Sequence, residues 1–288
     1  MQATYVDNGQ ILNKNISVES NDLLKSKKSK EGIKKYPVLN FTEKDLKKLQ
    51  RDVMKVLKSR GIDCLGADIE EFDITDYDMT RKFIIEYDPD AVVHCSAYTA
   101  VDKAEENIDI CRAVNVEGPG NIAKVCRELD CKMIYISTDY VFPGVGENFY
   151  EVDDPTGPLG QYGMTKLGGE NAVRSQIDKY FIVRISWVFG INGNNFVKTM
   201  LRVGREHDEV SVVADQIGSP TYTADLAVLL CDMIATEKYG TYHATNEGIC
   251  SWADFTEEIF RQAGYTTRVK RVTTEEYGAK APRPKNSR

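Results

Sequence analysis

Lys132-Met133-Ile134-Tyr135-Ile136-Ser137-Thr138-Asp139-Tyr140-Val141-Phe142 is the stretch on which the reading of the whole chain turns. Its first five residues, rich in Ile and Tyr, predict a short buried strand. The strand delivers Ser137 and Thr138 to its carboxyl end, where open α/β sheets hold their ligands. A loop marked by Pro143, Gly144, Gly146, Pro155 and Pro158 follows, and then Tyr162-Gly163-Met164-Thr165-Lys166 opens a helical pattern. On a helix the i,i+4 spacing puts the Tyr162 phenol and the Lys166 ammonium on one face. A free tyrosine, with a pKa of about 10, is a poor acid at neutral pH. A neighbouring ammonium favours the phenolate and is expected to lower that value. Ser137 or Thr138 is placed to hydrogen-bond a substrate oxygen or the phenol. A bare YxxxK is most often a surface pair, but the hydroxyl-bearing strand end upstream reverses that preference.

Working outward, the alternation of strands and helices predicts a parallel sheet wrapped on both faces. Ala91-Val92-Val93-His94-Cys95 reads as another buried strand, and Ile62 to Asp68 as a strand ending in an acid. In a Rossmann-like arrangement Asp68 would bind the adenosine ribose and disfavour a 2′-phosphate, a lean towards NADH. As a local feature it is equally a strand-end cap. Asn115 stands near the head of a helix and reads locally as an N-cap. Leu46, Leu49, Val53 and Leu57 recur at helical spacing, with Thr42 and Asp45 as a cap and an end near Gly61. Past Phe181-Ile182-Val183-Arg184-Ile185 the pattern loosens, as expected of a smaller lobe built onto the sheet.

The length of 288 residues suffices for a substantial core, and the net charge of -7 argues against nucleic acid or an anionic membrane as a partner. No apolar run approaches a membrane span, and the seven cysteines lack CxxC spacing, so they read as reduced thiols in a cytoplasmic protein. Three scattered histidines make a zinc site unlooked-for, and no metal ligands are assigned. Residues 1 to 35 are polar with a cluster of lysines, a composition that favours a solvated arm. Tyr36-Pro37-Val38-Leu39-Asn40 reads as a short extended segment.

Several strings together resemble one family. They are Ser96-Ala97-Tyr98-Thr99-Ala100-Val101-Asp102-Lys103-Ala104-Glu105, Ser137 to Gly144, Arg184-Ile185-Ser186-Trp187-Val188-Phe189 and Asn194-Asn195-Phe196-Val197-Lys198-Thr199-Met200. With the Thr138, Tyr162, Lys166 set they resemble the dTDP-4-dehydrorhamnose reductases, in the extended branch of the short-chain dehydrogenase/reductase superfamily. The resemblance runs from about Val53 to the end. It implies a Rossmann-like doubly wound parallel sheet over residues 51–185 and a smaller, interleaved substrate-binding lobe over 186–288. It also implies NADPH or NADH as cofactor, a dTDP-sugar substrate, a homodimer in many members and Mg2+ in some. Tyr162, Lys166 and Thr138 carry over as catalytic, with Tyr162 and Lys166 also assigned to the cofactor, Lys166 at the nicotinamide ribose, and Thr138 also to the substrate. Asp68, Asp73, Ile74, Ser96, Ala97, Tyr98 and Asn115 carry over to the cofactor, with Asn115 in the active-site hydrogen-bond network. Val101, Asp102, Asp139, Trp187, Asn194, Asn195 and Lys198 carry over to the substrate.

Residues 1–50 depart from this pattern. Where the family has a glycine-rich turn that cradles a pyrophosphate, this chain has Asn40-Phe41-Thr42-Glu43-Lys44-Asp45. Gly157, Gly160 and Gly163 spell GxxGxxG but follow no strand and read as chance. Two alternatives therefore stand beside the reductase. One is a non-catalytic NAD(P)-binding regulatory protein, similar to the beta subunit of methionine adenosyltransferase. The other is an inactive relic whose replaced N-terminus leaves the sheet incomplete, unless Tyr36 to Asn40 fills the empty strand position.

Overall fold

A computed structural model describes residues 5–7, 10–12, 38–39 and 47–288. The Thr42–Asp45 cap and the lysine-rich arm lie outside them. Its centre is a six-stranded sheet with the order Gly240–His243, Tyr180–Ile185, Lys132–Thr138, Ala91–His94, Val38–Leu39, Gly66–Ala67. Each neighbouring pair is parallel. The order reverses beside Val38–Leu39, which makes this a doubly wound sheet with a crevice at the reversal. Val38 pairs with both Gly66 and Val93, and Leu39 with both Ala67 and His94. The strand position put in doubt by the atypical N-terminus is therefore filled, and neither neighbour presents an open edge there.

The pleat sorts the core into two layers. Ile134, Ile136, Phe181 and Val183 face Leu49, Val53 and Leu57 of the Lys47–Ser59 helix, together with Leu226 and Leu230 of the Thr223–Ile234 helix. Met133, Tyr135 and Ile182 face the other way, towards Ile84, Ile122 and Val173. These come from the helices Tyr77–Tyr87, Gly118–Glu128 and Gln161–Gln176. Period-two alternation along strands buried on both faces gives this two-layer sandwich. The sheet unit thus begins before residue 51, and the Gly240–His243 strand returns to it from the second lobe. That lobe packs the helices Phe196–Glu206 and Trp252–Ala263 on a parallel pair, Glu209–Val213 and Arg268–Val272, around Val210, Val212, Ile259 and Phe260.

Two readings of local structure need correction. The strand at Ile62–Asp68 is reduced to Gly66–Ala67. Asn115 is not an N-cap: it sits within a π-helical turn, Ala113–Glu117, in the middle of a long helical run. Such a turn admits an extra residue per turn and re-aims a side chain, and it recurs at functional sites.

His94 is fully buried, stacked 5.7 Å from Tyr135, and neither ring nitrogen has a partner among the described residues. Burial, helped by the charge of Lys166, pushes its pKa down to about 3. A depressed pKa contributes stability above the unfolded value near 6.5 that is lost as pH falls towards the folded one. Urea unfolding should therefore lose stability by about 1.4 kcal/mol per pH unit below pH 6.5 from this group, and His94→Leu should flatten that slope. Hydrogen exchange supplies a second check: the Val38 and Leu39 amides should be protected like those of Val92 and Val93, and free exchange would remove them from the sheet.

Candidate active site

The strand Lys132–Thr138 and the helix Gln161–Gln176 converge on a cavity of about 360 Å3, lined by Ala97, Thr138, Tyr140, Tyr162, Lys166 and Trp187 among others. The helix lies close because Gly163 faces Tyr140: a Cβ there would stand 2.3 Å from the Tyr140 carbonyl oxygen. This explains a glycine of the GxxGxxG spelling through packing, with no phosphate involved. One turn apart, Tyr162 and Lys166 do share a helix face.

Their electrostatics differ from the expectation. Burial pushes the Tyr162 phenol up, opposed by a hydrogen bond with the Thr138 hydroxyl, and Lys166 is not among the groups that move it. The ammonium is occupied elsewhere. Lys166 Nζ donates to the Ile136 carbonyl at 2.7 Å and rides 4.0 Å above the Tyr135 ring. Burial lowers its pKa to about 7, with Glu170 opposing the fall. At neutral pH the site thus holds a protonated phenol beside an amine close to its titration point. Proton donors are in place, and the acidity of Tyr162 is weakened by burial and only partly restored by Thr138.

Beneath the cavity lies a buried ion pair. Glu170, one further turn along the helix, accepts from Ser137 Oγ at 2.6 Å and from Arg184 Nε and Nη2 at 2.9 and 2.8 Å. Arg174 adds a bond to Oε2 at 2.8 Å. Ser137 therefore serves the scaffold, and of the two hydroxyls Thr138 is the one that bears on the acidity of the phenol. Burial pushes the Glu170 carboxyl up, but these donors and cations more than reverse it and hold it below the usual carboxylate value.

The remaining expected residues divide by what occupies their polar atoms. Asn115 clamps the Tyr98 backbone, accepting from its N–H at 2.8 Å and donating to its carbonyl at 3.2 Å, and donates to Thr165 Oγ1 at 3.0 Å. It positions the Ser96–Tyr98 strand end rather than facing the cavity. Ala97 and Val101 line the cavity. Ser96 Oγ is buried at the same edge with no partner among the described residues. Asp68 accepts from the Glu70 N–H, and Asp73 from the Thr75 N–H and hydroxyl, both as turn-formers. Ile74 is a core residue packed beside Gly118.

On the substrate side, Asp102 is consumed by residues far along the chain. It accepts from the Ala281 N–H and from Arg283 Nη2, each at 2.9 Å, and the bond from Arg283 holds its pKa below the usual range. Asn195 lines the cavity but caps the Phe196–Glu206 helix, accepting from the Lys198 N–H at 3.1 Å and donating to Gly190 O at 2.7 Å. Lys198 Nζ is turned to the Ile191 carbonyl at 2.5 Å, away from the cavity walls. Trp187 stands in the wall at a φ of 50°, a left-handed conformation that costs a bulky residue about 1–3 kcal/mol. Its ring stacks on Trp252 with centroids 3.8 Å apart, and Trp252 donates through Nε1 to Gln216. Trp252 was not expected. The only local signal is the capping box of Ser251 and Asp254 that starts its helix, and nothing in sequence brings it against Trp187. Tyr140, edge-on to Tyr162 at 5.3 Å, was likewise missed as a wall residue.

This arrangement coincides with a known group of proteins: residues 47–288 match the family described as RmlD substrate binding domain. The chain belongs to that family. A dTDP-4-dehydrorhamnose reductase of Streptomyces griseus is 42% identical over 246 residues, covering 83% of this chain and 81% of the relative. The spore coat polysaccharide biosynthesis protein SpsK of Bacillus subtilis is 40% identical over 233 residues, 81% of this chain and 82% of its own. Among solved structures, the dTDP-4-dehydrorhamnose reductase of Bacillus anthracis in complex with NADP superposes with a TM-score of 0.84 at 42% identity, over 88% of this chain and 89% of that one. Like these relatives, the chain is an RmlD-type protein of Rossmann-like fold.

Does the site fit the nicotinamide dinucleotide that the fold implies? At the reactive end it does: the phenol, the amine, the small Ala97 wall and the orphaned Ser96 hydroxyl gather at the carboxyl edge of the sheet. The glycine-free stretch 40–46 lies outside the described residues. Among the described residues no group of three or more His, Cys, Asp or Glu is arranged to hold a metal ion, and no helix is long and apolar enough to cross a membrane.

Replacing Glu170 by Gln leaves the Arg184 guanidinium, 3% exposed, without its charge partner. Denaturant titration should show a loss of about 3–5 kcal/mol.

Proposed function

We propose that this chain reduces the C4 carbonyl of dTDP-4-dehydro-L-rhamnose to give dTDP-L-rhamnose, using NADPH or NADH. The observation that carries this reading is the convergence of Thr138, Tyr162 and Lys166 on one cavity walled by Trp187 and Trp252. Membership of the family and the reductase names of relatives near 40% identity support it. A bound nicotinamide supplies the hydride, and the protein supplies placement and the proton.

Tyr162 donates its phenolic hydrogen to the oxygen that gains charge as the carbonyl is reduced. Thr138 hydrogen-bonds that phenol and brings its acidity back towards the working range against the pull of burial. Lys166, near its own titration point, is held by the Ile136 carbonyl in the same cavity wall and adds charge to the site whenever it is protonated. Ala97 and Tyr162 face the nicotinamide end of the cavity, and the stacked tryptophans give a flat apolar wall for the substrate. Sister enzymes that dehydrate nucleotide-sugars carry a second carboxyl after the strand-end Asp. Here that position is Tyr140, packed edge-on against Tyr162, so a proton donor is present but the acid and base pair of a dehydration is not. The acidic chain and its free cysteines fit a reducing cytoplasm.

Nicotinamide fluorescence titrations with NADPH and NADH test cofactor binding first, and binding in the micromolar range is expected for at least one. Absence of binding at millimolar cofactor in a folded sample would sink the reading. With dTDP-4-keto sugar, Tyr162→Phe should lower kcat by about 10²–10⁴-fold while leaving the cofactor titration unchanged.

A further inference from the structure

Asp139 stands in the wall between two cavities. It lines the smaller one with Tyr162, and it also lines a larger one of about 550 Å3 whose other walls include Phe142, Arg184, His243 and Ser287. Its two carboxylate oxygens face different neighbours. Oδ1 accepts from Thr138 Oγ1 at 2.9 Å, and Oδ2 accepts from Ser287 Oγ at 2.5 Å. Thr138 lines the smaller cavity beside the Tyr162 phenol, whose acidity it raises against burial. Thr138 and Asp139, hydrogen-bonded to each other, thus stand between the phenol and the second cavity.

We propose that Asp139 returns the proton to Tyr162 after each turnover, taking it from the larger cavity and passing it through the Thr138 hydroxyl. The proposal rests on the reductase reading. When Tyr162 protonates the nascent C4 alkoxide, the phenol O–H bond breaks and a phenolate remains. The phenolate takes the Thr138 hydroxyl hydrogen while Thr138 Oγ takes the hydrogen of the Asp139 carboxyl. Two O–H bonds form as two break, Thr138 is regenerated, and no electrons change hands. The Asp139 carboxylate then takes a proton from water in the larger cavity.

Position argues for Asp139 over Lys166 in this role. Lys166 is 1% exposed, its ammonium is bonded to Ile136 O, and it lines only the cavity that substrate fills. Asp139 alone of the two reaches the second cavity. Its acidity is suited to proton relay, since burial lifts the carboxyl to about 6, against the bonds from Ser287 and Thr138, and both forms are accessible near neutrality. The ionisable groups around it are Tyr140 on its own turn, Tyr162 and Lys166 from the helix, and Glu151, Arg184, His243, Glu247 and Arg288 around the larger cavity.

The test is rapid-mixing kinetics with Asp139→Asn, which keeps the shape of the side chain but has no proton to give. With excess dTDP-4-keto sugar and NADPH, wild type should turn over steadily. The variant should consume one NADPH per site at close to the wild-type rate and then slow by about tenfold or more, and a small weak acid such as imidazolium should restore the steady rate. A steady rate equal to that of wild type, or first and later turnovers slowed alike without rescue, would overturn the relay. Should Asp139→Asn fail to fold, Thr138→Val cuts the relay one hydroxyl earlier. It should show a first turnover faster than those that follow, and equal rates would overturn the relay as well. Lack of any turnover by wild type refutes the reductase reading itself and is told apart by that control.

Discussion

The Glu170 carboxylate is the fastening on which the site depends. Through one side chain the catalytic helix is tied to the strand that carries Thr138 and to the next strand, which carries Arg184. Arg184 continues the connection to the Val152 carbonyl, and so holds the loop that leads from the strand end to Tyr162. A buried charge pair adds little net stability over apolar packing, but it tolerates few alternative geometries. Burial of this kind fixes a helix against a sheet in one register, as proton transfer across a short distance demands. Tyr162, Lys166 and Glu170 recur at four-residue spacing, so the helix presents acid, amine and fastening as a single stripe.

Low dielectric runs through the same region with opposite effects on its members. Burial raises the Tyr162 phenol and the Asp139 carboxyl and lowers the Lys166 amine. Each shift favours the neutral form of its group, as burial in an apolar surrounding does. The Asp139 carboxyl and the Lys166 amine, far apart on the pH scale in water, are brought close together near neutrality. Proton exchange among groups of similar affinity needs little driving force. A site in which burial favours the neutral forms is thereby suited to moving protons without stabilising separated charge.

Much of this was legible in sequence wherever the signal is local. The buried strand, the strand-end hydroxyl and the YxxxK spacing are set by periods of two and four residues, and the structure places all three as the pattern implies. Helix Lys47–Ser59 and its end before Gly61 follow from Leu49, Val53 and Leu57 in the same way. What spacing does not reveal is the set of partners on which polar atoms are spent. Asn195 and Lys198 serve a helix start and a loop carbonyl, and Asp102 meets Arg283 across 181 positions of chain. Trp252 reaches Trp187 only because the second lobe folds over the sheet edge. Val38–Leu39 is the instructive middle case: two residues are too few to predict a strand by pattern, yet two open neighbours make the position worth filling.

The segment Ala281–Arg288 gives the site an order of assembly. Arg283 reaches Asp102, Ser287 reaches Asp139, and Asn286–Ser287 pairs with Ile217–Gly218. These contacts join residues made early on the ribosome to others made much later. Loops of this size close slowly, and mean contact separation is the main determinant of folding speed. The sheet and its helices draw on residues made before this segment, so the wall that separates the two cavities is finished after them. Until then the Asp139 carboxyl lacks its Ser287 partner, and a nascent chain with a nearly complete core has no completed active site.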